Sequence, residues 1–244
     1  MGSDRVLYES AKQAGGMLHV SIKVPSSRYF DEALRMNCFV DLFRIGVFPN
    51  AKEITESMAT YNAVRTHVWG DVFDIKRRDV DVLIVGDGRS PRTGALFAML
   101  SKWRIFSIDP ELEGRELQWE CKIRNLKIIG RKIEDCDTFE LQRNVILLLV
   151  HSHADQYECL DFIRRCGGVE NVAVVSIPCC SDLSFHGVPP VHDYHDWGCW
   201  SPKRRVMVWP TLDANLAMSM RPVRRTKKKA PSGLDLESVA MHTD

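Results

Sequence analysis

The stretch Val82-Leu83-Ile84-Val85-Gly86-Asp87-Gly88-Arg89-Ser90-Pro91-Arg92-Thr93-Gly94 decides how this chain folds. Its first four residues form an unbroken apolar run of strand length, the pattern of a strand covered on both faces and hence of a parallel sheet. Two glycines then mark a turn in which the backbone can approach a ligand closely, and Thr93 to Trp103 reads as the helix that follows. A strand end, a glycine turn and a helix N-terminus in that order bring unpaired N–H groups to one point, which is where α/β sheets hold nucleotides.

Downstream, apolar runs alternate with helical stretches. Arg104 to Ile108 reads as a second strand, Leu126 to Ile133 as a third, Val145 to Val150 as the most buried one and Asp155 to Cys166 as the helix after it. Val172 to Ile177 makes a fifth strand, and Arg205 to Trp209 closes the sheet. This alternation predicts a Rossmann-like α/β fold, a mostly parallel twisted sheet with helices on both faces. The second strand ends in Asp109-Pro110, 21 residues after Gly88, where a carboxylate can accept hydrogen bonds from both hydroxyls of a ribose.

Upstream, Met17 to Val24 alternates like a short strand before Pro25. Arg28 to Ile45 reads as one helix with Phe30, Ala33, Leu34, Cys38, Val40, Leu42 and Phe43 on its apolar face, stopped by Gly46. A second helix starts after Asn50, an N-cap with Glu53 three residues on, and runs towards Trp69-Gly70. The chain thus divides into a mainly helical N-terminal extension (1–78), the α/β domain (79–220) and a basic tail (221–244) too poor in apolar residues to pack.

With 45% apolar and 27% charged residues, the 244-residue chain has the composition of a globular protein, and no apolar run reaches the ~20 residues needed to cross a bilayer. The N-terminus reads as lacking a signal peptide, and none of the eight cysteines forms a Cys-x-x-Cys pair, so the expectation is an intracellular protein, cytoplasmic or nuclear, with reduced thiols and no membrane partner. The net charge of +1 hides an asymmetry, since residues 201 to 229 carry nine Lys/Arg against Asp213 alone. A basic arm on a neutral-to-acidic body suits contact with a polyanion such as RNA, while a solvated tail or a nuclear-import signal fits the same residues; a protein partner stays open beside these.

Pro91 stands where a dinucleotide fingerprint needs Gly or Ala, which argues against NAD or FAD, and no Gly-Lys-Ser/Thr follows Gly86 to make a phosphate-cradling loop. A Gly-x-Gly-x-small turn ending in Ser90 suits a nucleoside ligand without a pyrophosphate, such as S-adenosylmethionine. Val85-Gly86-Asp87-Gly88 followed by Ser107-Ile108-Asp109-Pro110 resembles motifs I and II of class I S-adenosylmethionine-dependent methyltransferases. His151-Ser152-His153-Ala154-Asp155 and Ile177-Pro178-Cys179-Cys180 resemble the His-x-Cys-Gly…Asp and Pro-Cys-Cys elements of a group in that superfamily that includes a tRNA 2′-O-methyltransferase. The likeness spans roughly residues 80 to 210. Motif I of the superfamily carries an acid two residues before its first glycine, where this chain has Ile84; Asp87 is the substitute the sequence offers.

The resemblance implies S-adenosylmethionine as cofactor, with Gly86, Asp87 and Gly88 along its methionine part, Asp109 on the ribose, and Glu134 and Asp135 beside adenine. His151, at the carboxyl end of the central strand, and Asp155 are the catalytic candidates; Cys179, Cys180 and Lys203 are the acceptor-binding ones. The stretch from Cys179 to Cys199 holds six potential zinc ligands, but their spacing lacks paired knuckles, so no metal is expected and the segment reads as a long aromatic loop over the sheet edge. The sequence therefore predicts a methyltransferase whose acceptor is RNA, with a non-catalytic methyltransferase-like scaffold as the rival.

Overall fold

The computed structural model describes residues 26–179, 185 and 187–222 in full and residues 7–14 and 17–23 by their backbone. Cys180, His186 and the basic residues from Arg224 to Lys229 lie outside the described residues. In chain order the elements are β1 (Leu7–Ala14), β2 (Met17–Lys23), α1 (Arg28–Leu34), α2 (Phe39–Arg44), α3 (Ala51–His67), β3 (Val80–Val85), α4 (Arg92–Leu100), β4 (Arg104–Ile108), α5 (Leu117–Glu120), β5 (Leu126–Ile129), β6 (Asn144–Val150), α6 (Gln156–Cys166), β7 (Asn171–Ile177), β8 (His192–His195), β9 (Arg205–Trp209) and α7 (Ala214–Ser219).

Strands β1 and β2 pair as an antiparallel hairpin, so the N-terminal segment is not helical throughout. The other seven strands form one sheet in the order β5-β4-β3-β6-β7-β9-β8, parallel from β5 to β7 and closed by antiparallel β9 and β8. This is the predicted Rossmann-like sheet, and its strand order reverses between β3 and β6.

Successive side chains of a strand point to opposite faces, so strands apolar at every position must be covered twice. Val80, Val82, Ile84, Ile146, Leu148 and Val175 pack on one face with Tyr29, Leu42, Met58, Leu96 and Trp119 of α1 to α5. Leu83, Val85, Leu147, Leu149 and Val174 pack on the other with Tyr157, Leu160, Phe162 and Ala217 of α6 and α7. The helices before β3 thus share a core with the sheet.

The helix expected over Arg28–Ile45 is broken between Leu34 and Phe39. At 100° per residue an unbroken helix would put Leu42 about 180° around the axis from Ala33, yet both are fully buried. The break lets α2 turn Phe39 and Leu42 inward. The third strand stops at Ile129 rather than Ile133; Gly130 follows, passing Glu113 so closely that a Cβ there would lie 2.4 Å from its Cα, and Ile133–Asp135 is a 3-10 turn. The presumed long loop before β9 contains edge strand β8, a His-Asp-Tyr-His segment clipped to β9 by Arg205, whose Nε and Nη2 meet the Asp193 carboxylate at 2.8 and 2.7 Å.

Arg221, first residue of the basic arm, is folded back on α6: its Nη2 donates to Glu158 Oε1 at 2.5 Å, lies 3.5 Å from Asp155 Oδ2, and its guanidinium sits 5.6 Å from the Tyr157 ring centroid. For half-exposed contacts of this kind, Arg221→Ala should cost about 0.5–1 kcal/mol and the loss should shrink at high salt. Thermal denaturation at two ionic strengths checks this; an unchanged melting temperature at low salt would mean the contacts contribute nothing.

Candidate functional site

The reversal of strand order at β3 and β6 leaves a gap above their carboxyl ends, and there a cleft of about 530 Å³ opens. Its walls come from the residues after β3, β4, β5 and β6, and Gly86, Gly88, Asp109, Glu134, His151 and His153 line it. Gly86 sits at φ +86°, where a Cβ would meet Ser152 at 2.6–2.9 Å, its Cα included. Glycine is what lets the ends of β3 and β6 close together. Gly88, at φ +79°, would drive a Cβ to 2.8 Å from Arg92 Nη1.

Asp109 is 8% exposed at the end of β4. Its Oδ2 accepts the Gly88 N–H at 2.8 Å and its Oδ1 the Glu111 N–H at 2.8 Å, which fixes the carboxylate against the glycine turn. Each oxygen keeps acceptor capacity on the cleft side, since a carboxylate has about four lone-pair directions.

Asp87 is placed differently. It is fully buried and turned under α4, where Oδ1 accepts the Thr93 N–H at 3.0 Å and Oδ2 accepts the Gly94 N–H at 3.0 Å and the Ser107 hydroxyl at 2.9 Å. Burial pushes its carboxyl above the usual carboxylate range, opposed by the charge of Arg92 and these donors. Asp87 therefore caps the helix from within and is not among the cleft residues; Asp135 also lies outside the lining. Asp155 is the N-cap of α6, its Oδ1 accepting the Tyr157 N–H at 2.8 Å, and the cleft wall stops one residue earlier at Ala154. Cys179 and Lys203 line a separate hollow.

His151 lies at the end of β6 with φ +52°, the one left-handed residue other than glycine among the described residues. Such backbone costs of order 1–3 kcal/mol and persists where the surroundings dictate it; here the His151 N–H donates to Ile177 O at 2.8 Å. His151 lines the cleft, and its buried Nε2 lies 3.1 Å from Glu56 Oε1, a close electrostatic contact.

Glu56, on α3, is 1% exposed and joins a charge cluster that sequence reasoning missed. Lys52 Nζ lies 3.3 Å from its Oε1, Arg92 Nη2 3.8 Å from its Oε2, and Arg92 Nε 3.3 Å from Glu53 Oε2. Burial raises the Glu56 carboxyl, but His151, Lys52 and Arg92 outweigh it and hold the group below the usual range. Asn50 caps α3 as expected, its Oδ1 accepting the Glu53 N–H at 3.0 Å, while the Glu53 carboxylate reaches Arg92. The signal for Glu56 was faint: it shares a helix face with Lys52 and Glu53 and sits in a stretch, Ile54 to Thr60, buried all round. Among the described residues no three His, Cys, Asp or Glu side chains converge to hold a metal, and no helix is long and apolar enough to cross a membrane.

No protein-family model and no curated protein matches the chain. Among solved structures it is similar to a mutant of MtNAS in complex with S-adenosylmethionine, at 14% identity and a TM-score of 0.44 over 74% of this chain and 69% of that one. It is also similar to a SAM-dependent methyltransferase from Aquifex aeolicus (13%, 0.38, over 56% and 72%) and to a TehB-like SAM-dependent methyltransferase from Corynebacterium glutamicum (10%, 0.39, over 75% and 95%). Similarity at this level assigns no role to any residue.

Proposed function

We propose that the chain transfers a methyl group from S-adenosylmethionine. The observation that carries the reading is the coincidence, at one reversal of strand order, of the Gly86–Gly88 turn with the carboxylate of Asp109. Bound there, the cofactor supplies an electrophilic methyl on its sulfonium. Asp109 accepts the ribose hydroxyls, Gly86 and Gly88 leave room for the methionine part, and Glu134 faces the base. The cleft volume is that of a small-molecule site. His151 holds or accepts the acceptor's proton, and most of the rate comes from alignment. RNA as the acceptor is supported by the basic composition of residues 221 to 229.

Asp109→Ala should weaken binding of S-adenosylhomocysteine about tenfold or more, the scale of a hydrogen bond to a charged group. Unchanged affinity in a folded variant would remove Asp109 from the site. Calorimetric titration of the wild-type protein with S-adenosylmethionine, S-adenosylhomocysteine and NADH tests the whole reading: micromolar binding of the first two supports it, and binding of NADH alone overturns it.

A second reading, a non-catalytic scaffold, is favoured by one observation. Ile84 is buried in the core and Asp87 is turned under α4, so the glycine turn presents no carboxylate to the cofactor's amino group. Tight S-adenosylhomocysteine binding with no transfer of labelled methyl to total RNA or protein extract would favour this reading.

A further inference from the structure

A second hollow, of about 250 Å³, opens beside the cleft and is lined by Pro178, Cys179, His195, Lys203, Arg204 and Arg205 among others. Strand β7 ends at Ile177, β8 ends at His195 and β9 begins at Arg205, its register partner, so the hollow stands on the same sheet edge as the cleft. The two meet where Cys179 Sγ lies 3.5 Å from Nε2 of His153, a cleft residue.

Its charges are unevenly matched. Arg205 is engaged by Asp193 through both Nε and Nη2. Arg204 is 4% exposed, and its Nε and Nη1 are closed off from solvent with no hydrogen-bond partner among the described residues, leaving Nη2 as its accessible nitrogen. The guanidinium lies 4.9 Å from the Trp197 ring centroid, which offers an electron-rich face but no acceptor. The neighbouring Asp196 carboxylate is turned away, accepting the Tyr29 hydroxyl at 2.6 Å and the Gly198 N–H at 2.9 Å. A guanidinium does not shed its proton, so a buried one without a counter-charge is costly until an anion completes it. Lys203 stands exposed on the rim.

We infer that this hollow holds a phosphomonoester group of the acceptor. With Arg205 matched by Asp193, Arg204 and Lys203 bring two positive charges, which suits the −1.5 to −2 of a phosphomonoester near neutral pH better than the single charge of a phosphodiester. Arg204 supplies a fixed guanidinium charge reached through Nη2, and Lys203 a mobile point charge. The inference rests on the methyltransferase reading only in calling the ligand an acceptor; anion binding stands or falls separately.

Calorimetric titration of the full chain with ribose 5-phosphate, ribose, and hexauridylate with and without a 5′-phosphate tests it. Ribose 5-phosphate should bind at least about tenfold more tightly than ribose, and Lys203→Ala, an exposed change that leaves the fold intact, should weaken it about tenfold. Arg204→Lys should weaken it further, and S-adenosylhomocysteine affinity should be unmoved by Lys203→Ala. A gain for hexauridylate over ribose 5-phosphate that is lost without the 5′-phosphate assigns the group to an RNA end; no such gain assigns it to a small phosphorylated acceptor. Equal binding of ribose and ribose 5-phosphate, or indifference of ribose 5-phosphate binding to Lys203→Ala, overturns the inference, whatever S-adenosylhomocysteine does. Loss of S-adenosylhomocysteine binding with the phosphate results intact overturns the methyltransferase reading alone.

Discussion

Gly86→Val is expected to abolish binding of S-adenosylhomocysteine and to lower stability by about 3 kcal/mol or more. Two costs add. The residue sits at φ +86°, a conformation that disfavours side-chain-bearing residues by roughly 1–2 kcal/mol. Its Cβ would also stand within 2.6–2.9 Å of Ser152, including the backbone Cα. Strand β6 is hydrogen-bonded on both sides, to β3 and β7, so that backbone has little freedom to retreat. Whatever room is found must come from spreading the ends of β3 and β6, which is where the cleft lies. Thermal denaturation and titration of the same preparation check both halves; a folded variant with wild-type affinity would show that the closeness of these strand ends is unrelated to binding.

Glu56→Ala should be nearly as severe, about 3 kcal/mol, because it leaves Arg92 and His151 around a buried void that no longer carries their counter-charge. The milder Glu56→Gln separates charge from shape. The Glu56 carboxyl is held below its ordinary value of 4.5, so its contribution is fully present above that pH and is lost as pH falls through the folded value. Wild-type melting temperature should therefore fall more steeply on acidification below pH 4.5 than that of Glu56→Gln. Parallel acid profiles would show that the cluster contributes nothing through charge. Transfer of labelled methyl, if His151 moves the proton, should drop in the same variant.

The sheet was legible because its central strands carry near-continuous apolar runs, Val82 to Val85, Val145 to Val150 and Val172 to Val175, a pattern that double coverage explains, and because Gly86, Gly88 and Asp109 fall in the right order on it. Three features escaped for physical reasons. The break between α1 and α2 follows from which residues must be buried together, and no proline or glycine signals it. Strand β8 is short and polar, and its place is set by pairing with β9 and by the Asp193–Arg205 pair rather than by apolar periodicity. Glu56 and Arg92 come from segments 36 residues apart and become partners only when α3 packs on α4, so neither declares itself locally. Asp87 was legible as a polar residue in the turn, but its direction, under α4, depends on the Thr93 and Gly94 amides and on Ser107 of the next strand.

Helix α3 has a further consequence for anyone who would divide this chain. A fragment beginning at residue 79 would retain every strand of the large sheet, yet it would strand Arg92 and His151 without Glu56 and remove the part of the cover over Val82, Ile84, Ile146 and Leu148 that α1 to α3 supply. The severed piece, residues 1–78, would carry the missing carboxylate and the missing apolar face together. The cleft's own lining, Val85 to Ala154, would stay on the larger piece, so what division removes is the support beneath the cleft rather than its walls.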